Sequence, residues 1–239
     1  MKAHIAVISS RRPGRVGKMQ EHLGRLAQQA VWYVGKDEAG LYADEMVGTI
    51  VESGGLVASR NRALEDAFDE DLPCVQLSDD LMWVKRRMGT DSILRTSLPN
   101  AIEYILGILG SSGAKLGGAA ATDNPYFAPA GISSWALIVG DLSIHLPNPI
   151  RYDPEMPLKE DFELSIQHLQ AYGEVCRVND IIPSWLHRTN AGGAVAYRTP
   201  ELEQEAIDRI KELHPGWIRD NPRRNNEILL VKKPKESQP

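Results

Sequence analysis

Apolar residues recur along this chain with two periods. Short β-branched runs at residues 4–9 (HIAVIS), 30–35 (AVWYVG) and 73–78 (PCVQLS) predict buried strands. Helical spacing fills the gaps between them. Residues 16–29 predict one helix, and residues 57–69 (VASRNRALEDAFD) a second, with Val57, Leu64 and Phe68 on one face. Strand, helix, strand, helix, strand in the first third of the chain predicts a parallel sheet with crossover helices. Ligands of such sheets bind beyond the carboxyl ends of the strands. Two polar clusters, residues 9–12 (Ser-Ser-Arg-Arg) and 78–80 (Ser-Asp-Asp), fall at those ends.

The remainder alternates less regularly. Residues 97–110 predict a helix with Leu98, Ile102, Ile105 and Leu109 inward. Residues 115–122 and 133–146 read as strands separated by the loop TDNPYFAPAG. A helix over residues 160–172 carries Phe162, Ile166 and Leu169 on one side, and a short strand follows at 174–178. Residues 186–198 read as a loop, then a strand. Thr199 and Pro200 open a last helix with Leu202, Ala206, Ile210 and Leu213 inward. After Gly216 the chain is rich in Arg, Asn, Lys and Pro and reads as a basic tail. There is no internal repeat.

Composition adds bounds. The 239 residues suit one large domain or two fused halves, and an apolar fraction of 42 % supports a core of ordinary size. A formal charge of −5 excludes a uniformly basic nucleic-acid coat but leaves room for a local basic face. Cys74 and Cys176 lie in apolar runs without Cys-x-x-Cys spacing, which predicts buried thiols in a reducing compartment, hence the cytoplasm. The first ten residues carry no signal-peptide cleavage pattern, and no apolar stretch is long enough to span a bilayer. No membrane partner is expected.

The candidate chemistry begins at QLSDDL. Asp79 and Asp80 repel each other at the end of an apolar strand, and a divalent cation relieves that cost. Mg²⁺ or Mn²⁺ prefers carboxylate oxygen and completes its shell with substrate phosphates. The same dipeptide also suits a plain solvated turn. In the first loop, Ser9, Arg11 and Arg12 offer hydroxyl and guanidinium groups to a phosphate. Asn61 falls near the apolar stripe of its helix beside Arg60. The pair either holds a nucleotide or ties the helix to the sheet. Glu160, Asp161 and Glu163 begin a helix, where acids are favoured by its dipole and where one of them could deprotonate a hydroxyl. His187 is a candidate metal ligand, and Gly192-Gly193 permits a flap over a bound ligand.

Taken in order, IAVISSRRPG, VWYVGKDE, GLVASRNRALEDA, VQLSDDLMWV, LKEDFELSIQHLQAYGEVCRVND and NAGGAVAYRT resemble the TET/JBP-associated glycosyltransferases, a GT-A-fold family of bacteriophages and some eukaryotic genomes. The similarity spans roughly residues 4–200, with SRNRAL, SDDL and KEDFE as its most specific series. It implies an α/β fold: one GT-A-like domain with a mixed, mostly parallel sheet flanked by helices. Residues 1–95 would form a Rossmann-like nucleotide-sugar half, 96–216 an acceptor and catalytic half, and 217–239 a basic tail. It implies transfer of a sugar from a nucleotide-sugar donor, such as a UDP-sugar, to a hydroxymethylated pyrimidine such as hydroxymethylcytosine in DNA. For a phage-encoded chain the setting would be the host cytoplasm. Asp80 would match the metal-binding acid, Asp79 the acid near ribose or metal, and Asp161, flanked by Glu160, the base. Arg60 and Asn61 would match the pair near the nucleotide, and His187 the late metal ligand. Ser78 departs from the family, where many relatives carry a third acid.

Phosphate contacts to DNA would come from the stretch Trp83-Val84-Lys85-Arg86-Arg87 and from Arg219, Arg223, Arg224, Lys232 and Lys233. Two alternatives remain: a GT-A transferase acting on a glycan or small molecule, and a catalytically silent nucleotide- or DNA-binding module on the same fold.

Overall fold

The computed structural model describes residues 2–89, 92–156, 158–186 and 198–232. In chain order the first half contains β1 (His4–Ile8), α1 (Val16–Leu23), β2 (Ala30–Val34), α2 (Ala39–Tyr42), β3 (Thr49–Glu52), α3 (Leu56–Asp69), β4 (Cys74–Ser78), β5 (Leu81–Met88) and β6 (Ser92–Thr96). The second half contains α4 (Leu98–Leu109), β7 (Leu116–Ala119), β8 (Ile132–Ser133), β9 (Leu142–His145), α5 (Glu160–Tyr172), β10 (Cys176–Val178), β11 (Ile181–Trp185), α6 (Pro200–Leu213), β12 (Ile218–Asp220) and β13 (Ile228–Leu230).

Eight strands form one mixed sheet in the order β3-β2-β1-β4-β9-β7-β10-β8. The first four run parallel, β7 and β10 pair in parallel, and β9 runs antiparallel to both its neighbours. The fold is therefore α/β. Strand alternation divides the core into two layers. Ile5, Val7, Trp32 and Leu77 pack with Val16, Met19 and Leu23 of α1 and with the inward face of α4. Ala6, Ile8, Tyr33 and Cys74 pack on the opposite side with Ala63, Leu64 and Ala67 of α3 and Leu164 and Leu169 of α5. Both thiols are free and buried.

Local chemistry sets the helix ends. The Ser97 hydroxyl accepts from the Asn100 amide at the start of α4, and the Thr199 hydroxyl accepts from the Leu202 amide at the start of α6. Gly173, at φ 74°, closes α5 in the left-handed region. The helix expected over residues 16–29 stops at Leu23. Gly24 adopts φ 52° there, and a 3₁₀ segment (Gly24–Gln29) replaces the last turns.

Three further elements differ from the sequence expectations. The strand expected over 133–146 divides into β8 and β9. Between them Ala136 and Ile138 are buried, but the Ile138 amide bonds the Ser165 hydroxyl of α5 and so leaves the ladder. Strands β11, β5 and β6 form a separate antiparallel sheet. Residues 217–232, within the stretch expected to be a tail, are docked on the core. There β12 and β13 pair, Ile218 and Ile228 are buried, and Trp217 stacks on Trp135 with ring centres 5.4 Å apart. Among the described residues no helix is long and apolar enough to cross a membrane.

The junction of β7 and β9 leaves no room for a side chain at Gly118. A Cβ there would lie 2.7 Å from Ile138 Cγ2 and 2.8 Å from the Leu142 carbonyl oxygen. Gly118→Ala is expected to lower unfolding stability by about 1–3 kcal/mol. Urea denaturation checks it, and an unchanged midpoint would show that the strands part without cost.

Candidate functional site

The first four strands run in the order 3-2-1-4, as in a doubly wound sheet, where ligands bind beyond the strands' carboxyl ends. At that edge the loop after β1 meets the turn after β4. The Ser9 hydroxyl donates to Asp79 Oδ2 at 2.5 Å and lies 2.8 Å from the Tyr42 hydroxyl, which also accepts from the Arg12 amide at 3.0 Å. One Arg12 guanidinium nitrogen sits 2.9 Å from Asp79 Oδ1 and 3.7 Å from Asp80 Oδ2. Glu38 braces the same loop, accepting from the Ser10 hydroxyl at 3.1 Å and the Arg11 amide at 2.9 Å. The Arg11 guanidinium itself is exposed, 3.5 Å from Glu38.

Asp79 and Asp80 are buried, at 3 % and 6 % exposure. Burial pushes the Asp79 carboxyl above the usual range. The Ser9 hydrogen bond and the Arg12 cation oppose that rise, and neighbouring Asp80 adds to it. The repulsion expected within the acidic pair is thus partly offset by Arg12. Among the described residues no three His, Cys, Asp or Glu side chains converge as a metal cage. A two-carboxylate set nevertheless suits Mg²⁺ or Mn²⁺ when phosphates and water complete the shell, so the donor chemistry fits such an ion.

Arg60 and Asn61 serve the scaffold. Arg60 is 4 % exposed. Its guanidinium donates to Gln76 Oε1 (3.1 Å) and the Gly140 carbonyl (2.9 Å) and faces Glu160 Oε1 at 3.4 Å. A Cβ at Gly140 would fall 2.4 Å from that guanidinium, so a side chain there would displace Arg60. Asn61 bonds the backbone of Tyr152 reciprocally, its amide donating to the carbonyl and its oxygen accepting from the amide, both at 2.9 Å. Of the two alternatives for this pair, the geometry realises the tie between helix and sheet.

Glu160 is buried and Asp161 half-buried at the start of α5. Asp161 accepts from the Gly140 amide at 3.4 Å and from the Phe162 amide at 2.8 Å. Burial, then the adjacent Glu160 carboxylate, raises its pKa to about 7. Arg60 opposes that rise. A carboxyl at a helix start whose pKa lies near neutrality is suited to proton transfer.

Asp141 joins the two acidic regions. Its carboxylate accepts from the Ser78 hydroxyl at 2.9 Å and its carbonyl from the Ser78 amide at 3.0 Å, one residue before Asp79. Its negative charge also raises the Asp161 pKa. The turn that carries Asp141 is the one whose Gly140 amide reaches Asp161. The sequence expectations omitted Asp141 because residue 141 fell inside an assumed continuous strand. An aspartate interrupting a buried apolar run is itself a break signal. Tyr42 and Glu38 were omitted too, because neither lies in a recognisable pattern.

His187, Gly192 and Gly193 lie outside the described residues, as does Lys233. Of the basic stretch, Lys85 lies over the Trp83 ring at 4.4 Å, joined there by Arg95 of β6 at 5.1 Å, while Arg86 stacks on Tyr104 at 3.7 Å. Arg87 is engaged by Asp180 at 3.4 Å and by the Pro125 and Ala128 carbonyls. Arg219, Arg223, Arg224 and Lys232 are exposed, and Arg224 pairs with Glu227 at 3.2 Å.

Compared with known proteins, the chain matches no family model and no curated protein.

Proposed function

We propose that this chain is a GT-A-type glycosyltransferase that transfers a sugar from a nucleotide-sugar donor, with a hydroxymethylated pyrimidine in DNA as acceptor. The observation that supports this is the meeting of Ser9, Arg12, Asp79 and Asp80 at the carboxyl edge of the sheet, with the Asp161 carboxyl linked to them through Ser78 and the Gly140-Asp141 turn. The acceptor half of the assignment rests on the family resemblance alone.

In the proposed reaction the donor's diphosphate lies against the first loop, where Arg11 and Arg12 supply positive charge. Asp161 takes the proton of the acceptor hydroxyl as its oxygen bonds the anomeric carbon. The bond from that carbon to the diphosphate breaks, and the nucleoside diphosphate departs with the electron pair. Asp79 and Asp80 would hold a divalent ion, which when bound neutralises charge on the leaving diphosphate. A base within duplex DNA would have to leave the stack to reach Asp161.

One observation favours a second version: Arg12 already bridges Asp79 and Asp80, as suits a metal-independent transferase or a silent nucleotide-binding module. Incubation with hydroxymethylcytosine DNA and UDP-sugars, followed by nucleoside mass spectrometry, tests the proposal. A sugar adduct that disappears with chelator supports the metal-assisted form. An adduct that survives chelator supports the Arg12 form. The absence of an adduct with every donor, together with no thermal shift from any nucleotide, rejects the enzyme.

A further inference from the structure

Two aromatic rings stand almost fully in solvent. Tyr126 is 86 % exposed and Phe127 70 %, with ring centres 5.3 Å apart in an edge-to-face arrangement. Rings so placed add little to the core, and clustered exposed apolar surface marks a contact site. The loop that carries them is firmly built. Asn124 Oδ1 accepts from the Tyr126 amide at 3.0 Å, and the Asn124 carbonyl accepts from the Phe127 and Ala128 amides at 3.0 and 3.3 Å. Pro125 and Pro129 restrict the backbone on either side. Arg87 of β5 clamps the loop, donating to the Pro125 carbonyl at 3.1 Å and the Ala128 carbonyl at 2.8 Å. Ala128 itself is buried with Ile182 of β11, and Trp83 and Ile93 pack against them.

The sheet beside this loop carries cations on the same face. Side chains alternate along a strand, so Trp83, Lys85 and Arg87 of β5 share one side with Ile182 and Arg95, the two cross-strand partners of Lys85. Like charges directly opposite each other destabilise a sheet. Lys85 and Arg95 are such a pair. Both lie over the Trp83 indole, and among the described residues neither has a carboxylate partner. Asp180 and Asp123 border this face, where Arg87 engages the first at 3.4 Å and the Ser184 hydroxyl the second at 3.0 Å. A polyanion laid along β5 and β6 relieves the repulsion between Lys85 and Arg95.

This surface is continuous with the acidic turn. Strand β5 begins at Leu81, the residue after Asp80, and at ~3.3 Å per residue Trp83 stands roughly 10 Å from Asp80 along the strand. The loop with the two rings leaves the carboxyl end of β7, which runs in the same direction as β4 and so ends at the edge where Asp79 and Asp80 lie.

Open aromatic rings beside unneutralised cations match an unpaired nucleic-acid strand, whose bases stack and whose phosphates take the charge. A neutral glycan makes no use of the cations, and an intact duplex hides its base faces. Resting on the DNA acceptor of the function proposed above, we infer that the 124–128 loop and the Lys85-Arg95 face hold the unpaired stretch of that DNA. Bases stack on Tyr126 and Phe127, and Lys85 and Arg95 bind phosphates.

Fluorescence anisotropy of the full chain with a labelled single strand of about 15 nucleotides, and with the duplex of the same sequence, tests this. The single strand is expected to bind about tenfold or more tightly than the duplex. Tyr126→Ala/Phe127→Ala should weaken single-strand binding by about tenfold or more. Both rings are exposed, so this variant keeps its fold, and circular dichroism checks it. Lys85→Gln/Arg95→Gln should lower the slope of log affinity against log salt by about 1.4, as the loss of two single-strand phosphate contacts requires. Duplex bound as tightly as single strand, or an aromatic variant that binds like wild type, overturns the inference. Calorimetric titration with UDP-sugars separates it from the transferase reading. A chain that binds a nucleotide sugar but no single strand loses this surface and keeps the transferase with another acceptor. A chain that binds the strand through these residues but no nucleotide keeps the surface and loses the transferase.

Discussion

Asp161→Asn is expected to lower turnover by about 10²–10⁴-fold while nucleotide affinity stays within about threefold of wild type. The side chain keeps its size and its place against the Gly140 and Phe162 amides, so the loss isolates the proton-accepting role. The same variant has an opposite effect on stability. In the folded chain the Asp161 pKa is raised to about 7, whereas an unfolded aspartate titrates near ~3.9. Between those values the folded state holds a proton that the unfolded state has released. Unfolding stability therefore falls as pH rises from about 4 to about 7 and stays lower above that. Asparagine cannot ionise. Asp161→Asn should accordingly melt higher than wild type at pH 8 and match it below pH ~4. The wild-type rate should rise with pH through an apparent pKa of about 7 in the free enzyme. Full activity in the variant, or identical melting curves at both pH values, would remove Asp161 from the proposed chemistry.

Arg60→Leu is expected to cost about 3–5 kcal/mol of stability. Arg60 is 4 % exposed, and its removal leaves Glu160 uncompensated and strips donors from Gln76 and the Gly140 carbonyl. Removing one partner of a buried pair costs more than replacing both with apolar groups. The double variant Arg60→Leu/Glu160→Gln should therefore recover part of the loss, and that coupling is the diagnostic result. Urea unfolding of the two single variants and the double gives it directly. A loss under about 1 kcal/mol, or strict additivity, would show that Arg60 is not the tie between α3, the 139–141 turn and α5.

These two residues show how far periodicity carries. The strands β1, β2 and β4 and the helices α3, α4, α5 and α6 all appear where apolar spacing places them, because each buries one continuous face that the sequence writes out. The meeting of the residues 9–12 loop with Asp79-Asp80 was legible for the same reason: a parallel sheet puts both loops at one edge. Strands β5, β6 and β11 were not legible. They carry Lys85, Arg86, Arg87 and Arg95 among their apolar residues, and Arg86 and Arg87 find their partners, Tyr104 and Asp180, on other elements. Ile218, Ile228 and the partly buried Trp217 sit in an Arg- and Asn-rich stretch whose composition hides their packing against the core.

Sequence alone determined the α/β class, the strand-end position of Asp79 and Asp80, and the helix-start position of Asp161. Each follows from local periodicity and from the side-chain direction it imposes. Only the tertiary structure decided that Arg12 lies between the two aspartates, that Arg60 is a buried strut, and that Asp141 connects the acidic pair to Asp161. Those outcomes depend on which long side chains become desolvated together. Burial and charge pairing are set by neighbours far apart along the chain, and no short stretch of sequence encodes them.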